Sequence, residues 1–167
     1  GLLGRILTDF PNLKWLMVHN IDPLGATLDP GILGLATASE ATISFEVIPR
    51  RIDDRGGGLA NVAGRLRLLE GLAQPREDTE FSLRYYNTLT TWVRIDGLLE
   101  TLKLTRDDLT AHPEKVVAAI RTLASHVPTY VTIKDVKRRW GHGQDDVFPG
   151  AQFEKLWGDL SSLPDLP

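Results

Sequence analysis

The stretch from Leu13 to Val18 is almost continuously apolar, broken only by Lys14, and is bounded by Pro11-Asn12 before it and His19-Asn20-Ile21-Asp22 after it. A run this short and this apolar predicts a strand buried on both faces. Such a strand needs helices to cover the sheet that holds it, and the flanking sequence supplies them. Leu2, Leu3, Ile6, Leu7 and Phe10 recur at helical spacing and stop at Pro11, which predicts an opening helix with one buried stripe. Asp29-Pro30 joins a capping residue to a proline at the first helical position, where its missing N–H costs nothing, so a short helix is expected over 30–38. From Thr42 to Val47 the pattern changes to alternation, with Ile43, Phe45 and Val47 on one face, the period of a strand with one wetter side.

The remainder keeps interleaving the two periods. Arg50 to Gly58 is charged and then glycine-rich, a surface loop, and Leu59 to Val62 and Arg65 to Leu69 flank Ala63-Gly64 like the arms of a hairpin. Tyr85, Tyr86, Trp92, Val93 and Ile95 are strand-forming residues, and Asp96 stands where it would cap a helix over 97–102. Thr105-Arg106-Asp107-Asp108 resembles a capping box with Asp in place of Glu, and Val116, Val117, Ile120 and Leu123 mark one stripe of a helix over 113–125. Tyr130, Val131 and Ile133 predict a further strand, and Phe153, Leu156, Trp157 and Leu160 a final amphipathic helix ending near Pro164. The expected class is α/β, a mixed central sheet flanked by helices with a β-hairpin excursion, as a single domain over 1–167.

Charge and composition narrow the function. Nineteen Lys and Arg against 22 Asp and Glu leave a formal charge of −3, so no global positive field exists to hold a nucleic acid or an anionic membrane. No apolar run approaches the roughly 20 residues of a membrane span. The absence of Cys excludes disulfides, thiolate metal sites and a cysteine nucleophile, and it agrees with a reducing compartment, the cytoplasm being the expected address. The four histidines, His19, His112, His126 and His142, form no zinc spacing.

Asn20 and Asp22 follow the apolar strand, and ligands of open α/β sheets bind beyond the carboxyl ends of strands. A carboxylate there is able to hold Mg²⁺, which takes oxygen ligands and keeps several waters; equally, Asn and Asp commonly end strands by satisfying turns. Arg55-Gly56-Gly57-Gly58 combines backbone that approaches a ligand closely with a guanidinium suited to phosphate, or is simply a mobile hairpin entry. Glu70 and Asn87 end apolar or aromatic runs and are able to hydrogen-bond sugar hydroxyls in a cleft, or serve as ordinary strand ends. Lys134, Lys137, Arg138 and Arg139 before Trp140 form an anion site or a solvated basic face.

In order and spacing these segments resemble the central part of the UTP–glucose-1-phosphate uridylyltransferase (UDP-glucose pyrophosphorylase) family. Asn20, Asp22, Leu24, Gly25 and Ala26 match its Asn-x-Asp-x-Leu-Gly-Ala segment, with Asp29 at the following Asp. Arg55, Gly56, Gly57 and Leu59 match its Lys-Gly-Gly-x-Leu loop, and Gly64 to Glu70 its basic-apolar run ending in Glu. Tyr86, Asn87, Thr88 and Trp92 match part of Phe-Asn-Thr-Asn-Asn-Leu-Trp, and Gln152, Phe153, Glu154 and Gly158 a later Gln-Leu-Glu helix. The resemblance implies a nucleotide-diphosphosugar-transferase-like fold, incomplete here, and the reaction of UTP with a sugar 1-phosphate to give a UDP-sugar and pyrophosphate. It implies Asp22 as the Mg²⁺ ligand, and Asn20, Arg55, Gly56, Gly57, Glu70 and Asn87 around the sugar and phosphates. The family lysine is Arg55 here, and two family asparagines are Leu89 and Thr90. The N-terminal glycine-rich loop for UTP and the Lys of a later Val-Lys-Thr-Thr-Ser-Asp segment have no counterpart. An inactive piece lacking the N- and C-terminal parts of a longer catalytic domain is therefore expected, the alternative being a non-catalytic nucleotide-sugar-binding or scaffold domain that kept the fold.

Overall fold

The protein is described by a computed structural model covering residues 1–22, 25–139 and 145–163. Its centre is strand β5, Tyr85–Arg94, fed by the strand-forming aromatic and β-branched residues noted above. The strands before it are β1 (Trp15–Val18), β2 (Ile43–Pro49), β3 (Gly58–Val62) and β4 (Arg65–Leu69). Val93 lies opposite both Leu16 and Ile43, and Tyr86 opposite both Ile48 and Gly58. β2 therefore occupies one edge of β5 while β1 and β3 share the other, and each runs antiparallel to it. β3 and β4 form the expected hairpin, Val62 facing Arg65 across the Ala63-Gly64 turn.

Helices α1 (Leu2–Asp9), α2 (Pro30–Ala38), α3 (Ile95–Thr101), α4 (Asp108–Ala111) and α5 (Pro113–His126) complete the α/β architecture. Leu7, Ile95, Leu99, Leu104 and Leu109 form one core between helices, with Ile95 fully enclosed. Ile43, Val93, Val127, Leu160 and Leu163 form a second core on the sheet, and Leu16 packs against both. Strands β6 (Tyr130–Arg139) and β7 (Asp145–Glu154) make a separate two-stranded ribbon. Among the described residues no helix is long and apolar enough to cross a membrane.

Several local expectations hold for the reasons given. The Asp29 carboxylate accepts from the backbone N–H of Gly31 at 2.7 Å and of Ile32 at 3.0 Å, capping α2. The Thr105–Asp108 box closes reciprocally: Thr105 N–H donates to Asp108 Oδ2 at 2.7 Å and Asp108 N–H to Thr105 Oγ1 at 3.3 Å.

Others are corrected. β1 is half-buried to exposed rather than buried on both faces, and among the described residues it bonds to β5 alone. Alternation sends Leu16 into the cores, and Met17 faces away from it. The helix expected over Phe153 to Leu160 does not form. The ten-residue partner β6 draws the chain into a ladder through Glu154, with Phe153 opposite Val131 and 72% exposed, and Trp157–Ser162 closes as a 3₁₀ turn. Asp96 makes no cap. It takes Arg106 bidentately at 2.6 and 3.0 Å, while that guanidinium also donates to the carbonyls of Pro11 and Leu13, lashing α3 to the segment before β1. On α5, Val116 and Leu123 pack inward while Val117 and Ile120 are exposed. Trp140 and His142 lie outside the described residues.

The Asp108 carboxyl is pulled from the ordinary 3.8 down to about 2, first by the hydrogen bond from Lys115 Nζ at 2.7 Å and then by the Thr105 N–H. A lowered carboxylate stabilises the fold above its unfolded value and ceases to do so as pH falls through its folded value. In urea titrations, wild type is expected to be more stable than Asp108→Asn at neutral pH, with the gap closing between about pH 4 and pH 2. A gap independent of pH would exclude the ion pair as its source.

Candidate functional site

The glycine loop between β2 and β3 is built around Arg50. Its Nε donates to the Leu83 carbonyl at 3.0 Å, Nη1 to Asp54 at 3.0 Å, and Nη2 to Gly56 at 2.9 Å and Gly57 at 3.0 Å, while the guanidinium lies 5.2 Å from the Tyr86 ring centre. Four backbone carbonyls are thus tied by one planar cation. Gly56 has φ of +122°, a conformation that other residues rarely adopt. Its N–H donates to Glu80 Oε2 at 2.9 Å. Arg55 also goes to Glu80, at 3.4 Å, and lies over the Phe81 ring at 4.4 Å while remaining 65% exposed. The loop is therefore fixed at its base, and Arg55 is held on its outer side.

Gly57 is buried, and its carbonyl accepts from the Asn87 N–H at 3.1 Å. Asn87 is itself buried, and both ends of its amide are bonded: Nδ2 donates to Glu70 Oε1 at 2.9 Å and Oδ1 accepts from the Leu89 N–H at 3.0 Å. Leu89 takes a left-handed φ of +63° to make that turn. Burial pushes the Glu70 carboxyl above its usual range, the Asn87 hydrogen bond opposes the shift, and the nearby Asp159 charge adds to it. Asp159 is also buried, which raises its carboxyl, while a hydrogen bond with Tyr130 holds it down. The Tyr130 hydroxyl is pushed up to about 12 by burial and by Asp159.

Of the residues singled out from sequence, the structure brings Gly57, Glu70 and Asn87 together and places Gly56 beside them. Asn20 and Asp22 are exposed on the segment after β1, and among the described residues neither side chain bonds to this cluster. Leu24, from the same segment, lies outside the described residues. Gly25, Ala26 and Asp29 return to line a hollow of about 360 Å³ with Glu46, Thr88 and Thr90. Successive strand side chains alternate, so Thr88 faces away from Asn87 and this hollow lies across β5 from the Glu70 cluster. Among the described residues no three His, Asp or Glu side chains converge on a metal position. A Mg²⁺ that takes most of its ligands from water and phosphate needs only one or two carboxylates, and the exposed Asp22, whose carboxylate has no partner among the described residues, suits that donor set.

Sequence reasoning missed Arg50, whose value lies in reaching four carbonyls at once, and Gly158-Asp159, which meet Glu70 only through long-range packing. Gly158 did carry a signal, as the glycine after Gln152, Phe153 and Glu154.

The chain is similar to known proteins in sequence and in fold. Residues 7–124 match the family described as UTP–glucose-1-phosphate uridylyltransferase. A probable UTP–glucose-1-phosphate uridylyltransferase of Schizosaccharomyces pombe is 35% identical over 92 residues, covering 51% of this chain and 18% of the relative. UTP–glucose-1-phosphate uridylyltransferase 2 of Dictyostelium discoideum is 28% identical over 109 residues, 62% of this chain and 21% of the relative. The chain thus spans about a fifth of the length of these relatives. A Trypanosoma brucei crystal structure titled UDP-glucose phosphorylase superposes with a TM-score of 0.54 at 27% identity, covering 62% of this chain and 24% of that one. The L281D mutant of the Leishmania major UDP-glucose pyrophosphorylase, in complex with UDP-glucose, shares the fold over 100% of this chain and 34% of its own, with a TM-score of 0.62 at 22% identity.

The raised Glu70 carboxyl makes the folded chain hold its proton more tightly than the unfolded one, so stability is complete below the unfolded pKa of 4.5 and declines as pH rises through the folded value. Glu70→Gln is expected to unfold at higher urea than wild type at about pH 8 and to lose that advantage in acid. A variant less stable than wild type at every pH would contradict a strained, buried carboxylate.

Proposed function

The chain belongs to the UTP–glucose-1-phosphate uridylyltransferase family, and from that premise we propose that it is the sugar-binding and metal-binding middle of an enzyme joining UTP to a sugar 1-phosphate, glucose 1-phosphate by preference, with release of pyrophosphate. The observation that supports this reading best is the contact of Asn87 Nδ2 with Glu70 Oε1 at 2.9 Å against the buried Gly57. Three segments that match the family separately meet at one point. An amide and a carboxyl fixed together present the paired donors and acceptors that vicinal sugar hydroxyls need.

In that reaction a phosphate oxygen of the sugar attacks the α-phosphorus of UTP in line, and pyrophosphate departs with its bonding electrons. There is little covalent work for the protein, which must align two anions and offset their charge. Asp22 is the residue assigned to hold Mg²⁺, and Asn20 stands beside it for phosphate or ribose contacts. Mg²⁺ would supply charge neutralisation on the phosphate oxygens. Glu70 and Asn87 orient the sugar, Gly57 lets it approach the backbone, and Arg55 with Gly56 lines the phosphate side. The cytoplasm, where UTP is abundant and cysteine-free composition is ordinary, is the compartment we assign.

A non-catalytic nucleotide-sugar-binding domain is the second reading, favoured by Leu89 and Thr90 in place of the family asparagines. Supplying the missing family segments in trans distinguishes the two: pyrophosphate release from UTP and glucose 1-phosphate excludes the non-catalytic reading, and continued silence favours it.

Titration calorimetry with UDP-glucose and Mg²⁺ is expected to give measurable heat for wild type. Asn87→Ala should weaken binding about tenfold or more, the scale of one buried hydrogen bond to a charged or constrained partner. Asp22→Ala should abolish only the Mg²⁺-dependent part. Identical titrations for all three proteins would refute the site.

A further inference from the structure

The Glu70 carboxyl lies in a slot whose two walls are glycines from distant parts of the chain. A Cβ on Gly57 would stand 2.5 Å from Oε2, and a Cβ on Gly158 would stand 2.9 Å from Oε1 and 3.0 Å from Cγ. Ordinary contact begins near 3.4 Å; the Gly57 Cβ would also press on the Leu69 carbonyl at 2.6 Å and on Glu70 Cα at 2.9 Å, whereas at Gly158 the Glu70 side chain is the main obstacle and the Leu68 carbonyl stands at 3.2 Å. Gly57 belongs to the glycine loop already described. Gly158 lies in the Trp157–Ser162 turn, beyond the residues 7–124 that match the family.

That turn is fastened to both strands that flank the slot. Ser161 Oγ accepts from the Leu68 N–H at 2.9 Å and donates to the Gly158 carbonyl at 2.6 Å, fixing the turn on β4 two residues before Glu70. Trp157 Nε1 donates to Thr91 Oγ1 at 3.1 Å, fixing it on β5, the strand that carries Asn87. The next residue, Asp159, is only 6% exposed, and its Oδ2 has no hydrogen-bond partner among the described residues. The groups that face Glu70 are thus Asn87, Asp159 and, through Asp159, Tyr130. The neighbouring Arg50 spends its donors on loop carbonyls.

We propose that Gly158 is a positioning residue for the sugar pocket: the Trp157–Ser162 turn forms the second wall of the Glu70 slot and fixes the carboxyl on Asn87. The proposal rests on the sugar-binding reading of Glu70 given above, but the slot itself is tested without ligand. With a side chain at 158 the acid must shift, and rotation off Asn87 toward solvent relieves the contact. The carboxyl is then freer to ionise and the Asn87 amide loses its acceptor.

The test combines NMR titration of the Glu70 side-chain carboxyl, observation of the Asn87 side-chain amide, and UDP-glucose binding, all on the full chain. In Gly158→Ala the Glu70 titration midpoint should fall toward 4.5, the Asn87 amide signal should move to its solvent-exposed position, and UDP-glucose affinity should drop about tenfold or more. With Glu70→Ala as background, Gly158→Ala should add much less loss, because the clashing side chain is gone and only the 3.2 Å approach to the Leu68 carbonyl remains. An unchanged Glu70 midpoint and Asn87 signal in Gly158→Ala, or additive losses in the double variant, would overturn the proposal. Should Gly158→Ala fail to fold, Asp159→Asn keeps the glycine and removes the facing charge. It should lower the Glu70 midpoint while leaving the Asn87 amide in place, and no change in that midpoint would likewise count against the turn as a wall. If wild type itself ignores UDP-glucose, the sugar-binding reading fails and the two ligand-free signals still decide the slot.

Discussion

The rest of the structure depends on hydrogen-bonding both edges of β5. A strand in the middle of a sheet has little water to satisfy its N–H and C=O groups, so each must find a partner in the backbone or in a side chain. β2 provides one row, and β1 with β3 divides the other. Thr91, Trp92 and Val93 become almost wholly enclosed as a result. The same enclosure takes in Asn87. A buried amide is costly unless both its ends are bonded, and the Glu70 carboxyl and the Leu89 N–H meet that requirement. The candidate site is thus a product of the sheet's interior, made where the central strand carries a polar residue it cannot expose.

Around that point the backbone comes closer than side chains allow. The Arg50 guanidinium draws four carbonyls to itself, which turns a glycine-rich stretch from a flexible hairpin entry into a fixed rim. Folding such a loop is expensive in conformational entropy, since glycine loses the most freedom. The multidentate cation and the Glu80 carboxylate on the Gly56 N–H offset part of that cost. Gly57 can then press on Glu70 from one side as Gly158 does from the other.

How far the sequence disclosed this depended on the range of each interaction. The Asp29 cap, the Thr105–Asp108 box and the hairpin at Ala63-Gly64 are decided within four or five residues, and all were legible. The helix expected over Phe153 to Leu160 was not, because local spacing does not register a distant pairing partner, and the choice was made by β6, more than a dozen residues upstream, which takes Phe153 and Glu154 into its ladder. β1 was read as doubly buried because apolar composition records the surroundings a strand suits, whereas its burial here is set by the elements present to cover it. In the site, Gly57, Glu70 and Asn87 were drawn from a family pattern; nothing in their local chemistry separated them from strand ends. Arg50 looked like one charge in a mixed loop, since no sequence rule counts the carbonyls within an arginine's reach.

The electrostatics of the slot bear on what it accepts. Half-buried Glu70 and buried Asp159 lie near each other with Asn87 and Tyr130 as their hydrogen-bond partners, and among the described residues no Lys or Arg contributes to either carboxyl's shift. The Asp159 charge adds, after burial, to the cost of ionising Glu70. A carboxyl whose ionisation is opposed is less repulsive to a ligand bearing phosphates, and its protonated form has a donor that a carboxylate lacks. Half-buried surroundings make that donor stronger than it would be in bulk water. The burial that costs the fold stability at Glu70 therefore favours an anionic ligand's neutral end, provided the two glycines keep the acid from turning to solvent.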